Sequence, residues 1–452
     1  MFPSSLLGAA GDISVFPSPL KHFRQSVAFD LKWNAADLFD DDSAKEAAPA
    51  TADRKLYYAM YKRYGDLTED EQQIADGGRG GYVQVVRKLN PRARKKKYHT
   101  KGQDRKCCVL MTHFDTAAEA IDILMPPLLD YLTENRQLNN KCFQVKFRSS
   151  LHSNRVLLVL YYHRKLDKNV WKTEATKLRA AFPDIVESVV GRSKGQLLTV
   201  DSDEIEETYL LDETPLTLPS EQQTMVPAQS VILAQPENCF IQPNAHVCSS
   251  MLQWARDTLL QQRQSHSDNS KDSVVDGGDL LELHCGIGTF TCALAPYFRK
   301  VLATELMPRS VEALSSNIAR NNLDNITCAA LSADVTVAHM ETVGQSKTEN
   351  NHSSQMVQFS HPKAKGDTFA FSTALVDPPR AGLDETTRNA LTAFPNILYI
   401  SCNPDALARD LQLLSQTHDL AAAAFFDQFP GTEHMESGVL LQRRNDSNPA
   451  PR

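Results

Sequence analysis

The apolar run NILYISC stops on Cys402, and Asn403 and Pro404 follow at once. A structural cysteine is expected inside such a run, buried and inert. A cysteine at the end of the run is expected at the edge of a sheet, where open α/β folds bring their reactants together. A second run ends in VDPPRAGLD, which puts Asp377 ahead of two prolines that stiffen the chain and hold its carboxylate in place. Near the C-terminus FDQFPGTEHMESGVLL offers three proton acceptors, Glu433, His434 and Glu436, and pattern alone does not choose among them. Nucleophile, fixed carboxylate and base are a set that covalent catalysis can use.

The partner of that set is read from DLLELHCGIGTF. A strand there runs into Gly286 and Gly288 and then into a helix. Glycines let a ligand approach the backbone, and a helix N-terminus receives a polar group. The third glycine of a dinucleotide fingerprint is missing. Glu305 ends the next run, KVLATEL, about twenty residues after the glycines, where an acid can accept hydrogen bonds from two ribose hydroxyls. Glycines and acid together fit an adenosine cofactor without a pyrophosphate, which points to S-adenosylmethionine rather than NAD. A cysteine beside a methyl donor suits C5 of a pyrimidine. That carbon is too weakly nucleophilic to attack a sulfonium methyl until a thiolate adds at C6, and a base must then remove the C5 proton.

These residues need a sheet edge to carry them. From about Phe240 short apolar runs alternate with helices, as in a parallel sheet with crossovers. LLELHC, KVLATEL, STALVDPP and NILYISC are its strands, PRSVEALSSNIARNN is a helix between the second and third, and Asn244 caps a helix through Val247, Met251, Trp254 and Leu259. Upstream, HFRQSVAFDLKW and KCFQVKFRS alternate as strands, RVLLVLYYHRK reads as a more buried strand, and VWKTEATKLRAAFP as a helix through Val170, Leu178 and Phe182, so this part is a mixed α+β domain. SHSDNSKDSVVDGG and VGQSKTENNHSSQM read as surface loops.

At 452 residues the chain is long enough for two or three domains. It has no apolar stretch of the roughly twenty residues that cross a bilayer and no secretory signal, so a cytoplasmic location is expected. Its nine cysteines form no CxxC pair and no zinc spacing, which argues for reduced thiols and no metal. The net charge of −7 conceals a basic segment, Arg87 to Lys106, with ten Lys or Arg against the single acid Asp104. That segment is either a solvated loop or a mobile arm that holds phosphate backbones.

The chain resembles the TrmA family of tRNA (uracil-5-)-methyltransferases. The resemblance runs in order through SVFPSPLKHFR, CFIQPNA, DLLELHCGIGTF, VLATEL, VDPPRAGLD, ILYISCNPDAL, LSQTH and FDQFPGTEHMESGVLL, and SCNP together with FDQFP and HMES is highly specific. It spans Ile13 to Arg443 apart from insertions at about 39–106, 262–278 and 342–366. It implies an α/β fold, a class I (Rossmann-like) methyltransferase domain over 233–452 with an α+β RNA-binding domain before it over 14–232, carrying the basic insertion at about 40–106. It also implies Cys402 as nucleophile and Glu436 as base. The S-adenosylmethionine site would be lined by Gln242, His284, Gly286, Gly288, Thr289, Glu305 and Asp377. His284 and Thr289 replace an aromatic and an asparagine-like residue of bacterial members, and Ser26 and Ala28 stand where members carry an arginine and an acid.

The expected substrate is a tRNA uridine, in the T loop, giving 5-methyluridine; no membrane, metal or protein partner is implied. A ribosomal RNA uracil-5-methyltransferase is the second reading, although the cluster-binding cysteine set of many such enzymes is absent. Arg380 stands where an amino-methylating enzyme with a DPPY motif needs an aromatic. A non-catalytic RNA-binding or folding protein is a third reading, and it has no need of the full set Cys402, Glu436, Asp377, Glu305 and Gln242.

Overall fold

The computed structural model describes residues 13–33, 55–63, 83–84, 106–217, 223–264, 278–347, 353–361 and 364–444. By contacts the chain divides into two compact units, 24–205 and the remainder, 1–23 with 206–452. The division falls at 205/206 rather than at the 232/233 expected from the sequence, and the strand Ser14–Phe16 belongs with the C-terminal unit. It does so because it pairs in parallel with His418–Phe426, where Phe16 and Phe426 stack with ring centroids 5.0 Å apart.

The unit 24–205 is built on an eight-stranded sheet in the order Val83–Gln84, Lys106–Met111, Leu56–Arg63, Ser26–Trp33, Cys142–Ser149, Val156–Tyr162, Val186–Ser193, Gln196–Val200. One pair in it, Val156–Tyr162 with Val186–Ser193, is parallel, joined through the helix Lys168–Ala181. That helix and Glu119–Glu134 bury Leu124, Leu128, Trp171, Ala175 and Leu178 with Phe29, Phe147 and Leu158 of the sheet. Two expectations change here. Val170 is exposed, and Trp171, Ala175 and Leu178 form the buried face. The expected insertion over 40–106 contains an integral strand, Leu56–Arg63, whose Leu56 and Tyr58 are buried; the Tyr58 hydroxyl donates to the Met125 carbonyl at 2.9 Å. The basic run 87–105 lies outside the described residues.

The second unit carries a ten-stranded sheet. Along its main path the order is Ser14–Phe16, His418–Phe426, Glu436–Arg443, Asn396–Ser401, Ala364–Val376, Asp279–Leu283, Lys300–Glu305, Ile326–Ala330. The strands from Asn396–Ser401 to Ile326–Ala330 pair in parallel, and Glu436–Arg443 is antiparallel to both of its neighbours. Helices cover both faces, and two apolar clusters fill the layers, one around Met251, Phe290, Leu314 and Phe426, the other around Leu283, Phe369, Tyr399 and Leu411. The stretch expected as a Ser-rich surface loop contributes two strands. Met340–Lys347 and Ser353–His361 form a hairpin on Ala364–Val376, with Val357 and Phe359 buried. Residues 265–277, the other expected loop, lie outside the described residues.

Candidate active site

Chain order reverses between Asp279–Leu283 and Ala364–Val376, and a ligand in such a sheet sits beyond the carboxyl ends of those strands. Leu283 pairs with Thr304 on one side and Val376 on the other, so His284, Glu305 and Asp377 leave the sheet at one edge. The turn after Leu283 is tight: His284, Gly286 and Gly288 have φ of 61°, 56° and 89°. The two glycines serve different ends. A Cβ on Gly288 would lie 2.4 Å from Leu314 Cδ1, whereas one on Gly286 would meet nothing within 4 Å, so the turn faces open space there. Gly288 leads directly into the helix Thr289–Leu294. The Glu305 carboxylate accepts from the backbone N–H of Gly286 at 3.2 Å and of Met307 at 2.9 Å, which fixes it with lone pairs to spare. Exposed Leu306 and Met307 follow it and offer apolar surface.

Asp377 receives Gln242 Nε2 at 3.4 Å, and Gln242 Oε1 in turn receives buried Gln428 Nε2 at 3.3 Å. Gln242 belongs to the loop before the helix Ala245–Gln264, whose start is capped by Asn244 Oδ1 on the Val247 N–H at 3.3 Å. The amide relay thus ties two sequence-distant segments, those of Gln242 and Gln428, to the Asp377 carboxylate. Desolvation pushes the Asp377 carboxyl up to about 7. A cationic ligand group beside it would restore its charge.

Cys402 and Glu436 come together through strand register. Asn396–Ser401 and Glu436–Arg443 are antiparallel, with Ser401 opposite Ser437. One step further along each strand stand Cys402 and Glu436. Asn403 then caps the helix Pro404–Leu414 by accepting the Asp405 N–H at 3.1 Å, so the half-buried thiol sits in a fixed strand-to-helix turn. Glu436 is 5% exposed and its Oε2 has no hydrogen-bond partner. Burial, then the Asp377 charge, push its carboxyl up to about 8, while Arg380 pulls the other way. Burial raises the Cys402 thiol as well, with Glu436 and Asp377 adding to it and Arg380 opposing. The site is an acid-rich edge in which each anion opposes the next.

Comparison with known proteins decides the family. The model of the tRNA (Uracil-5-)-methyltransferase family matches residues 92–444. A tRNA/tmRNA (uracil-C(5))-methyltransferase of Shewanella amazonensis is 40% identical over 332 residues, 73% of this chain and 79% of that protein. The chain belongs to the tRNA (uracil-5-)-methyltransferase family. A relative from Saccharophagus degradans with the same description is 33% identical over 434 residues, 96% of this chain and 91% of its own length. The crystal structure of Pyrococcus abyssi tRNA (uracil-54, C5)-methyltransferase in complex with S-adenosyl-L-homocysteine shares the fold at a TM-score of 0.56 and 16% identity, covering 96% of this chain and 80% of that one. The family's enzymes methylate C5 of uridine in tRNA with S-adenosylmethionine as donor.

All nine residues singled out from the sequence lie on the unit that carries this sheet. Glu305 is hydrogen-bonded to Gly286 and Gln242 to Asp377, and strand register sets Cys402 next to Glu436; Gly288 and Thr289 open the short helix behind the glycine turn, and His284 starts the turn. Of the three acceptors left open by pattern, Glu436 is buried and Glu433 and His434 are exposed. Four supporting residues escaped the sequence reading. Gln428 is buried beneath Gln242, and Asn403 binds the Arg380 carbonyl through Nδ2 at 2.8 Å. Asp410 accepts from Tyr399 Oη at 2.7 Å and the Leu383 N–H at 2.9 Å. Glu282, buried on the strand under the glycine turn, has its carboxyl raised to about 8 by desolvation. Gln428 and Asn403 stood inside quoted motifs, whereas nothing in local pattern marks a lone Asp in a helix or a Glu in an apolar strand.

Among the described residues no group of three or more His, Cys, Asp or Glu side chains could hold a metal ion. The seven cysteines with described side chains are free thiols, and no described helix is long and apolar enough to cross a membrane.

Proposed function

We propose that this chain methylates C5 of a T-loop uridine in tRNA through a covalent bond from Cys402 to C6. The observation that carries the reading is the antiparallel register that brings Cys402 and Glu436 side by side at the same sheet edge as Asp377. S-adenosylmethionine, when bound, supplies an electrophilic methyl group on a sulfonium.

Gln242 and Asp377 suit its cationic end, Glu305 its ribose hydroxyls, and the space over Gly286 its approach to the backbone, with His284, Gly288 and Thr289 shaping the turn. Cys402 loses its proton to solvent, and its thiolate forms the S–C6 bond. The C5–C6 π pair moves toward O4, and the enolate formed would take the methyl group at C5 as the donor's S–CH3 bond breaks and its sulfur leaves as the neutral thioether. Glu436, as carboxylate, then removes the C5 proton, and the freed pair reforms C5=C6 while the S–C6 bond breaks and the thiolate leaves. The base must be extruded from its loop before C6 can meet the thiol.

The unit 24–205 is read as the RNA-binding domain. Phe143 and His163 stack at 3.8 Å, and with Tyr161, Arg192 and Lys194 they line a surface pocket. Aromatic faces beside cations are what unpaired nucleotides stack on. The test is incubation with methyl-labelled S-adenosylmethionine and either unmodified tRNA or ribosomal RNA, followed by nucleoside analysis. Label in 5-methyluridine from tRNA is expected, and label from ribosomal RNA alone would overturn the substrate.

A further inference from the structure

Two asparagines four residues apart stand in for a missing strand. Among the described residues the strand Gln229–Pro236 has a single strand neighbour, Glu204–Leu211, so the backbone groups of its other edge need partners. The helix Pro308–Arg320 lies along that edge. Asn321, its C-terminal cap, accepts the Ile232 N–H at 2.9 Å and donates to the Ile232 carbonyl at 2.7 Å. Asn317 accepts the Ala234 N–H at 2.7 Å and donates to the Ala234 carbonyl at 3.2 Å. Four helical residues rise about 6 Å and two strand residues about 6.6 Å, so amides at this spacing meet alternate residues of the strand.

The two side chains differ in one bond. Asn321 Nδ2 turns its other hydrogen back to the Asn317 carbonyl of its own helix, at 2.8 Å. Asn317 Nδ2 instead reaches the Ile287 carbonyl at 2.9 Å, inside the glycine turn. Asn317 is fully buried, and both of its amide hydrogens are committed. Apolar contacts join the same segments: Ile287 packs with Ala313 of the helix and with Cys239 and Ile241, which precede Gln242. The glycine turn, the helix that starts after Glu305 and the strand that leads to the Gln242 loop therefore meet at one side chain. We propose that Asn317 is a positioning residue for S-adenosylmethionine: by holding the Ile287 carbonyl from behind, it keeps the turn in the shape that leaves Gly286 open to the cofactor and its N–H on Glu305.

The inference rests on the assignment of the cofactor to this turn, and Glu305→Gln tests that assignment on its own. The measurement is calorimetric titration of S-adenosylmethionine into the full chain without RNA, at a temperature where every variant is folded, so that lost stability alone leaves the affinity unchanged. Asn317→Ala weakens binding roughly tenfold, the order expected for the loss of a buried hydrogen bond. Asn321→Ala loses the same kind of strand pairing and lowers the melting temperature by a similar amount, yet binds with wild-type affinity. In the methylation assay Asn317→Ala raises KM for S-adenosylmethionine by the same factor and leaves kcat and KM for tRNA near wild type. Asn317→Ser, which fills more of the site, reads the same effect where the alanine variant does not fold. Wild-type affinity in the Asn317 variant beside weakened binding in Glu305→Gln overturns the proposal and leaves the cofactor assignment standing. Equal losses in Asn317→Ala and Asn321→Ala also overturn it, because the helix as a whole and not the bond to the turn is then responsible. Wild-type affinity in Glu305→Gln removes the assignment on which the proposal rests.

Discussion

Cys402 and Glu436 divide the proposed reaction, and each half can be stopped alone. Cys402→Ala should abolish methylation while tRNA binding persists, measured by label transfer and by filter retention of the RNA. Glu436→Gln should allow attack and methyl transfer yet stall elimination, so that protein linked to RNA accumulates on a denaturing gel with natural tRNA; turnover at the wild-type rate would remove Glu436 as the base. The raised thiol makes the first half pH-dependent: below its pKa the thiolate fraction falls about tenfold with each whole step down in pH. Cys402 was legible because its position after an apolar run is odd for a structural thiol. By local pattern Glu436 was one of three and only the family resemblance singled it out, since burial separates it from Glu433 and His434 and burial is a tertiary property.

The elements explain how a loop of polar residues is held to the needed precision. Asp410, on the helix after Cys402, accepts the Leu383 N–H, the Tyr399 hydroxyl, Arg388 Nη1 at 3.2 Å and Arg409 Nε at 3.0 Å. It therefore clamps the Asp377 loop onto the helix that follows Cys402. Gly382, with φ of 77°, lets that clamp close: a Cβ there would lie 2.8 Å from Asp410 Oδ2 and 2.5 Å from Arg409 Nη2. Gly382→Ala should cost about 1–2 kcal/mol for the left-handed backbone alone. It should lower both the melting temperature and kcat while leaving tRNA affinity near wild type; kcat and melting temperature that both match wild type would show that the clamp does not position the site. The same scale shows why two of the three unexpected strands were hidden. Leu56–Arg63 lies between polar and basic stretches, and Val357 and Phe359 give a period-two signal diluted by serines and glutamines. In both cases burial against a neighbouring strand overrides local composition.

Across the whole molecule, three acids are held with raised pKa at one sheet edge: Asp377 up to about 7 and Glu282 and Glu436 up to about 8. Unfolded carboxyls titrate near 4. Between the two values the folded protein binds more protons, so this contribution is fully present at low pH and is lost as pH rises toward 8. Glu282→Gln should therefore melt higher than wild type at pH 8 and close to it at pH 5. S-adenosylmethionine, whose cationic end suits Asp377, should raise the melting temperature more at pH 8 than at pH 6; an equal rise at both would separate the ligand from Asp377. The parallel order of the sheet, its helices and the mixed α+β unit were legible from periodicity. That the first strand of the chain goes with the C-terminal unit was not, because it does so by pairing with His418–Phe426, far away in sequence.

The central claim is that Cys402 forms a bond to C6 of a tRNA uridine. The direct measurement is incubation of the protein with S-adenosylmethionine and tRNA transcribed with 5-fluorouridine, followed by a denaturing gel. Fluorine at C5 cannot leave as a proton, so the account predicts a band at the mass of protein plus tRNA that is absent in Cys402→Ala. Intact tRNA binding with no such band, or a band that persists in Cys402→Ala, would contradict it.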